Sequence, residues 1–82
     1  MWIRSQDNKK LINVNEMWIK SGNEEFSIMC NTQSISTSGG WYIGTYKNED
    51  RCIEILNHVQ QEILDYKPEN EYPNVVFQMP EE

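Results

Sequence analysis

One segment, residues 48–66, most restricts what this chain can fold into, because it is the only strongly helical stretch among 82 residues. Asn48 can accept a backbone N–H of the first turn as the N-cap, and Glu49 and Asp50 place negative charge at the positive end of the helix dipole. Pro68 lacks an N–H and disfavours helical geometry before it. We therefore predict a helix over about residues 49–66.

The apolar residues of this helix predict which side faces the core. At about 100° per residue, one stripe forms the predicted core face, and it contains Cys52, Ile55, Leu56, Val59, Ile63 and Tyr66. Ile53 and Leu64 lie on a flank outside this stripe. Either a curled sheet covers them, or they form a second apolar strip that contacts a partner or a second copy in a homodimer.

The remainder of the chain alternates in the manner of strands. We predict strands at about 2–6, 10–20, 26–32 and 41–46 and a short edge strand at 74–79. The alternation slips within the second strand, which predicts a bulge or break near Asn15-Glu16. In the third strand, the alternation places Cys30 inward and Met29 outward.

These elements predict an α+β fold in a single domain spanning residues 1–82. A bent antiparallel sheet of four to five strands would pack on one helix, as in a pleckstrin-homology-type half barrel. A flat two-layer sandwich is the alternative.

Charge is distributed unevenly along the chain. Residues 1–47 carry five Lys and Arg against four acids, whereas residues 48–82 carry two against nine, for a net charge of −6. An acidic chain without a basic stripe is a poor candidate for direct nucleic-acid binding. No apolar run approaches the roughly 20 residues that span a bilayer, and the first residues lack the apolar core of a signal peptide. We therefore expect a cytoplasmic protein without membrane contact.

The residues that commonly perform catalysis or bind metals do not form a recognisable set. The single histidine, His58, lies on a helix flank with no nucleophile in a motif beside it, and the adjacent acid pairs lie in polar turns and tails. The two cysteines, Cys30 and Cys52, are expected to be buried thiols, and with one histidine they are too few for a zinc site. We expect no enzymatic activity, no metal and no cofactor.

Aromatic residues follow a Ser/Gly-rich loop at residues 33–40. Packing on both sides of a bent sheet accounts for them, but Tyr and Trp beside such a loop are also typical of recognition surfaces. A possible ligand patch would combine the loop with these rings and one cation of the first strand, and comprises Arg4, Ser36, Trp41, Tyr42 and Tyr46.

Three segments, WIRSQDNKKLINVN, IGTYKNEDRCIEILNHVQ and VVFQMP, resemble short accessory proteins of low-GC Gram-positive bacteria, their phages and other mobile elements. The resemblance covers most of the chain except residues 20–40 and transfers no catalytic residue. It implies a context in which small proteins inhibit host defence by binding. An acidic member could be similar to anti-CRISPR proteins, which occupy basic grooves of their targets.

Three functions follow as hypotheses. The first is a non-enzymatic protein that binds and inhibits a host protein, with a defence or CRISPR component as the expected target, through an acidic surface. That surface would be formed by Glu54, Glu62, Asp65, Glu69 and Glu71. The second is an oligomeric sponge for a small nucleotide-like ligand, bound at the patch described above. The third is a structural accessory role.

Overall fold

The computed structural model describes residues 1–32, 40–65 and 76–82 and confirms the α+β class. The elements in chain order are β1 (Trp2–Arg4), β2 (Leu11–Asn13), β3 (Glu16–Ser21), β4 (Phe26–Asn31), β5 (Trp41–Tyr46), α1 (Glu49–Asp65) and β6 (Val76–Gln78). Asn48 caps α1 as predicted, since its Oδ1 accepts the backbone N–H of Arg51 at 2.8 Å. The strands form two three-stranded sheets rather than one bent sheet.

The first sheet has the order β2-β1-β6. Its central strand places Ile3 between Ile12 of β2 and Phe77 of β6, and Ile3 is completely buried. β6 lies at an edge, as predicted, but it pairs parallel to β1, which departs from the predicted antiparallel arrangement. A parallel return requires a long connection, and α1 lies within the segment that joins β5 to β6.

The second sheet has the antiparallel order β3-β4-β5 and packs on α1. A bulge interrupts the β4–β5 ladder, because Ile28 pairs with Gly44 and Met29 pairs with Tyr42. Ile43 therefore has no direct partner on β4. Trp41 pairs with Cys30 and Tyr46 pairs with Phe26, which lie on the same face of β4. The bulge therefore places Trp41 and Tyr46 on one face of β5, whereas simple alternation places them on opposite faces.

The predicted second strand is broken in two, close to the predicted position. The N–H of Val14 donates to Met1 O in the first sheet at 2.8 Å, and the N–H of Asn15 donates to Asn31 O in the second sheet at 2.9 Å. Two consecutive residues thus bond to different sheets. The chain crosses from one sheet to the other at this point.

A second link between the sheets is made by one glutamine. The backbone N–H of Gln6 donates to Ile43 O at 2.8 Å. Its side-chain amide donates to Thr45 O at 3.0 Å and accepts from Thr45 N at 2.8 Å. The amide therefore pairs with Thr45 in the way that a backbone peptide of a neighbouring strand would. Together with the crossing at residues 14–15, the pairing of Gln6 with Thr45 joins the two sheets near both ends of β1.

The core lies between the two sheets and α1, and it comprises Ile3, Ile28, Cys30, Ile43, Tyr46, Cys52, Ile55 and Met79. The helix buries only Cys52, Ile55 and Val59. The prediction for Ile63 is wrong, because its side chain is 58% exposed. Val59 is the last buried residue of α1, and residues 60–65 are all exposed. Tyr66 lies outside the described residues.

Strand β4 is buried on both of its faces. Met29 alternates with the core residues Ile28 and Cys30, as predicted for an outward side chain, yet it is only 2% exposed. It lies between Trp18 and Tyr42 of the neighbouring strands. The sequence prediction did not anticipate this covering because alternation identifies a face and not what packs on it.

We expect Gln6→Ala to lower the free energy of unfolding by about 1.5–4.5 kcal/mol, because the side chain makes three hydrogen bonds and each contributes roughly 0.5–1.5 kcal/mol. The third of these bonds is donated to Glu81 O at 2.8 Å. Urea unfolding measures the change. Gln60→Ala, at an exposed helix position, is the control and should change stability by less than about 0.5 kcal/mol. Equal effects of the two substitutions would contradict the role of Gln6.

Candidate functional site

Three acids of the predicted binding surface lie on one exposed side of α1. At about 100° per residue they fall within a sector of roughly 80°, and all three are exposed: Glu54, Glu62 and Asp65. We call these three residues the acidic face. The other two predicted acids, Glu69 and Glu71, lie outside the described residues.

Among the described residues, neighbours neutralise the acidic face only in part. Arg51 Nη1 contacts Glu54 Oε1 at 3.2 Å, but exposed pairs of this kind contribute little. Gln61 Nε2 donates to Asp65 Oδ1 at 3.0 Å, a hydrogen bond that leaves the charge in place. Glu62 and Asp65 also lie at the end of the helix where the dipole is negative, and the last turn contains no basic residue.

Acids at a helix C-terminus are unfavourable by about 0.3–1 kcal/mol each at low ionic strength. Glu49 and Asp50 in the first turn have the opposite, stabilising placement. The stability of α1 therefore accounts for the acids at its beginning but not for Glu62 and Asp65.

The last turns of α1 also expose aliphatic side chains. Leu64 is 67% exposed and Ile53 is 42% exposed, so the sheets do not cover the two flank residues in the way that one of the two sequence interpretations expected. Leu64 and Ile63 border a groove of about 280 Å³. The groove is otherwise lined by Met1, Ile3, Val14, Asn15, Glu16, Met17, Leu56, Val59 and Gln60.

The predicted ligand patch is not assembled in the described part of the chain. Arg4 lies in the first sheet, and its Nε donates to Asn8 O at 3.1 Å. Trp41 and Tyr42 are exposed neighbours on β5 in the second sheet, paired with Cys30 and Met29. Adjacent strand residues project to opposite faces, so the two rings do not share one surface. Ser36 lies outside the described residues.

Tyr46 was predicted as part of this patch, and the structure places it in the core instead. It is 3% exposed, and its hydroxyl donates to Pro80 O at 2.7 Å. The ring occupies the space beside Gly44, where a Cβ atom would lie 2.7 Å from the tyrosine oxygen. Tyr46 therefore anchors the C-terminal segment and is not available to a ligand.

Tyr42 remains on the surface with a cation beside it. Lys20 Nζ donates to the Tyr42 hydroxyl at 3.2 Å and lies 5.6 Å from the ring centre. This arrangement satisfies the phenol and the ammonium group locally. It gives no indication of a vacant ligand position.

One exposed surface was missed by the sequence interpretation. The outer face of the first sheet carries Trp2, Leu11 and Val76, which are 37%, 51% and 49% exposed, with Arg4 among them. Alternation placed Trp2 and Arg4 on one face of β1. The parallel pairing with β6 supplies Val76, and no local signal in the sequence indicates that pairing.

The two thiols are free and buried, and they are not part of the acidic face. Burial raises the pKa of Cys30, and burial followed by the charge of Glu49 raises the pKa of Cys52. Both changes favour the unreactive thiol over the thiolate. Across residues 1–32, 40–65 and 76–82, no three His, Cys, Asp or Glu side chains cluster so as to hold a metal ion.

No family model, curated protein or solved structure matches this chain. In the described ranges, no helix has the length and apolar character needed to cross a membrane. The candidate site is therefore defined by geometry and charge alone.

Tyr46 provides a test of the C-terminal anchor through pH. Burial raises its pKa to about 12, with the charge of Arg51 acting in the opposite direction. The unfolded chain has a tyrosine pKa of about 10, so this contribution to stability is complete below pH 10 and is lost as the pH rises through 12. The total is about 2–3 kcal/mol.

We expect wild type to lose stability more steeply than Tyr46→Phe between about pH 10 and 12, the window given by these two pKa values. Denaturant unfolding at several pH values measures the slopes. Tyr42→Phe, at an exposed tyrosine, is the matched control for the loss of one phenol hydroxyl. If Tyr46→Phe retains the wild-type slope, the buried phenol is not the titrating group.

Proposed function

We propose that this chain is a non-enzymatic accessory protein that binds and inhibits a protein of a bacterial host cell through the acidic face of α1. The phage or mobile-element context and a defence or CRISPR component as the target rest on the sequence resemblance, and the cytoplasmic location is the expectation drawn from the composition of the sequence. The binding surface rests on the arrangement of charges.

The observation that carries the proposal is the position of Glu62 and Asp65. They are exposed at the negative end of the helix dipole, and the last turn of α1, as far as the described residues extend, contains no basic residue. A basic partner would supply the compensation that the helix lacks. A net charge of −6 adds long-range attraction, which accelerates the encounter with a positively charged surface.

The aliphatic residues beside the acids support binding of a protein. Exposed charges mainly contribute association rate and specificity, whereas affinity requires an apolar contact that excludes water. Ile63 and Leu64 lie between Glu62 and Asp65 in sequence and are exposed. The last turn of α1 can therefore offer both kinds of contact to one partner.

The nucleotide-sponge alternative has less support. Its predicted residues lie on two different sheets. Of these residues, Tyr46 is buried and Ser36 lies outside the described residues. A structural accessory role stays an alternative that predicts no dependence on the acidic face.

The test is a charge reversal, Glu62→Lys/Asp65→Lys, matched by Glu24→Lys/Glu25→Lys at two exposed acids of the β3–β4 turn. Both variants change the net charge equally, so only the location differs. A partner captured from host lysate is purified and titrated with all three proteins. We expect the helix variant to bind at least about tenfold more weakly and the turn variant to bind within about threefold of wild type.

The helix variant should be at least as stable as wild type, because the reversal places cations at the negative end of the dipole. Thermal unfolding checks this, so that lost binding is not attributed to lost folding. If both variants bind equally, general charge and not the acidic face drives the interaction. Equal binding by all three proteins would exclude the charge argument altogether.

A further inference from the structure

One strand edge of the second sheet has no partner strand among the described residues. β3 stands at the end of the order β3-β4-β5, and it is six residues long. The other edge of that sheet is occupied, because Gln6 bonds to Ile43 and Thr45 of β5. The edge strands of the first sheet, β2 and β6, have only three residues each. A long unpaired edge is a template that another strand can join.

The hydrogen bonds of the β3–β4 ladder identify the backbone groups that face this edge. The N–H of Gly22 donates to Glu25 O at 2.8 Å, so these two residues form a hydrogen-bonded pair. Such pairs recur at every second residue of an antiparallel ladder. The even-numbered residues of β3 therefore direct their backbone groups towards β4. The odd-numbered residues, Met17, Ile19 and Ser21, direct theirs towards the open edge.

The residues of this edge complement themselves when a second copy runs in the opposite direction. The sequence from residue 16 to residue 20 is Glu-Met-Trp-Ile-Lys. An antiparallel copy centred on Trp18 places Glu16 opposite Lys20 at both ends. It also places Met17 opposite Ile19 and brings the two Trp18 side chains together. In this register each Met17–Ile19 pair exchanges two backbone hydrogen bonds, and the two Trp18 residues form the closer, non-hydrogen-bonded pair.

We propose that two copies of this chain form a two-fold dimer through antiparallel pairing of β3 with β3. The two second sheets join into one continuous sheet. The contact is isologous, so it closes after two copies and does not propagate. The pairing extends no further than residue 15, because the N–H of Val14 donates to Met1 O on the same edge. This inference goes beyond the proposed function, since it concerns the chain alone.

The apolar residues of β3 are incompletely covered in the single chain. Met17, Trp18 and Ile19 are all half-buried, although Met17 and Ile19 pack against the core. A strand beside β3 places Ile19 of the second copy next to Met17. Met17 also lines the groove that Ile63 and Leu64 border. The second copy therefore extends the apolar wall of this groove.

Charge decides the orientation of the two strands. Glu16 and Lys20 are both exposed at the ends of the paired segment. In the centred antiparallel register, each faces the opposite charge on the second copy. A parallel copy in register places each of them opposite a like charge, which destabilises a strand pair. The antiparallel arrangement is therefore the favoured one.

Charge contributes less to the strength of the pairing than to its orientation. Glu24 and Glu25 form the turn after β3, so they lower the positive charge near Lys20 although they lie beyond the paired residues. Exposed ion pairs contribute little in any case. The net charge of −6 on each copy opposes association at long range. Salt should therefore strengthen the dimer, because it screens this repulsion more than it weakens the backbone and apolar contacts.

Sedimentation of the chain alone at about 0.15 M and about 0.5 M salt tests the inference. We expect the average mass to rise from the 9.7 kDa monomer to twice that value, and no further, between roughly 10 µM and 1 mM. The higher salt concentration should shift this rise to lower protein concentrations. A chain that is monomeric at about 1 mM, or a mass that continues to rise beyond the dimer, overturns the inference.

Charge substitutions at the edge test the register. Glu16→Lys and Lys20→Glu each place like charges opposite one another twice, so each variant alone should dimerise at least about fivefold more weakly. The double variant Glu16→Lys/Lys20→Glu restores both pairs and should dimerise like wild type. An equimolar mixture of the two single variants should also dimerise, because each chain then supplies the charge that the other lacks.

Glu82→Lys is the matched control for Glu16→Lys. It changes the net charge equally but lies beside Arg51, whose Nε donates to Glu82 O at 2.8 Å. It should dimerise at least as tightly as wild type, and circular dichroism establishes that each variant is folded. Single variants that dimerise as wild type does overturn the inference. So does a double variant or a mixture that fails to recover the dimer.

Trp18→Cys reports directly on the two-fold axis. A non-hydrogen-bonded pair has Cα atoms about 4.5 Å apart, within the range of about 4.4–6.8 Å that a disulfide spans. Mild oxidation should therefore link two copies through position 18. Wild type is the control and should stay unlinked, because Cys30 and Cys52 are buried. A folded variant that dimerises without forming this link overturns the proposed pairing.

Discussion

The pairing of the Gln6 side chain with Thr45 joins the two small sheets on which the core of this structure depends. A small sheet gains its stability from a hydrophobic face that it buries against another sheet or a helix. The chain crosses from one sheet to the other at residues 14–15, and on the opposite side Gln6 takes the place of a strand partner. The enclosed space contains Ile3, Ile28 and Ile55, all fully buried.

The C-terminal segment completes this arrangement. Met79 is buried and its N–H donates to Arg4 O at 3.0 Å, and the following carbonyl groups accept from Tyr46, Gln6 and Arg51. Gln6 thereby contacts both β5 and the C-terminal segment. Because β1, β5, α1 and this segment all meet near Gln6, the last residues are part of the fold, although their sequence has the composition of an acidic tail.

Local signals in the sequence predicted the elements well and their assembly poorly. The cap at Asn48, the acids of the first turn and the slip in alternation before Met17 are local, and the helix start and the strand break follow from them. The parallel pairing of β6 with β1 and the bulge at Ile43 depend on residues far apart in sequence. These two features decide that Tyr46 is buried and that Trp2, Leu11 and Val76 share a face, so no local pattern could indicate either result.

The candidate site follows the same division. Glu54, Glu62 and Asp65 could be placed on one side of the helix from periodicity alone, because helix geometry fixes their directions. The exposure of Ile63 could not be predicted from periodicity, since it depends on how far the sheets extend beneath α1. The first half of α1 thus contributes to the core, whereas its last turn contributes almost nothing to it.

The central claim is that the outward side of α1 is the surface that meets a partner. His58 is exposed one turn from both Glu54 and Glu62, so a photo-crosslinking amino acid at position 58 would report directly on that surface. The same group at Asn23, in the exposed β3–β4 turn, is the reference. The claim predicts that irradiation in host cells links position 58, and not position 23, to one protein with a basic surface. Equal products from both positions, or products from position 23 alone, would contradict it.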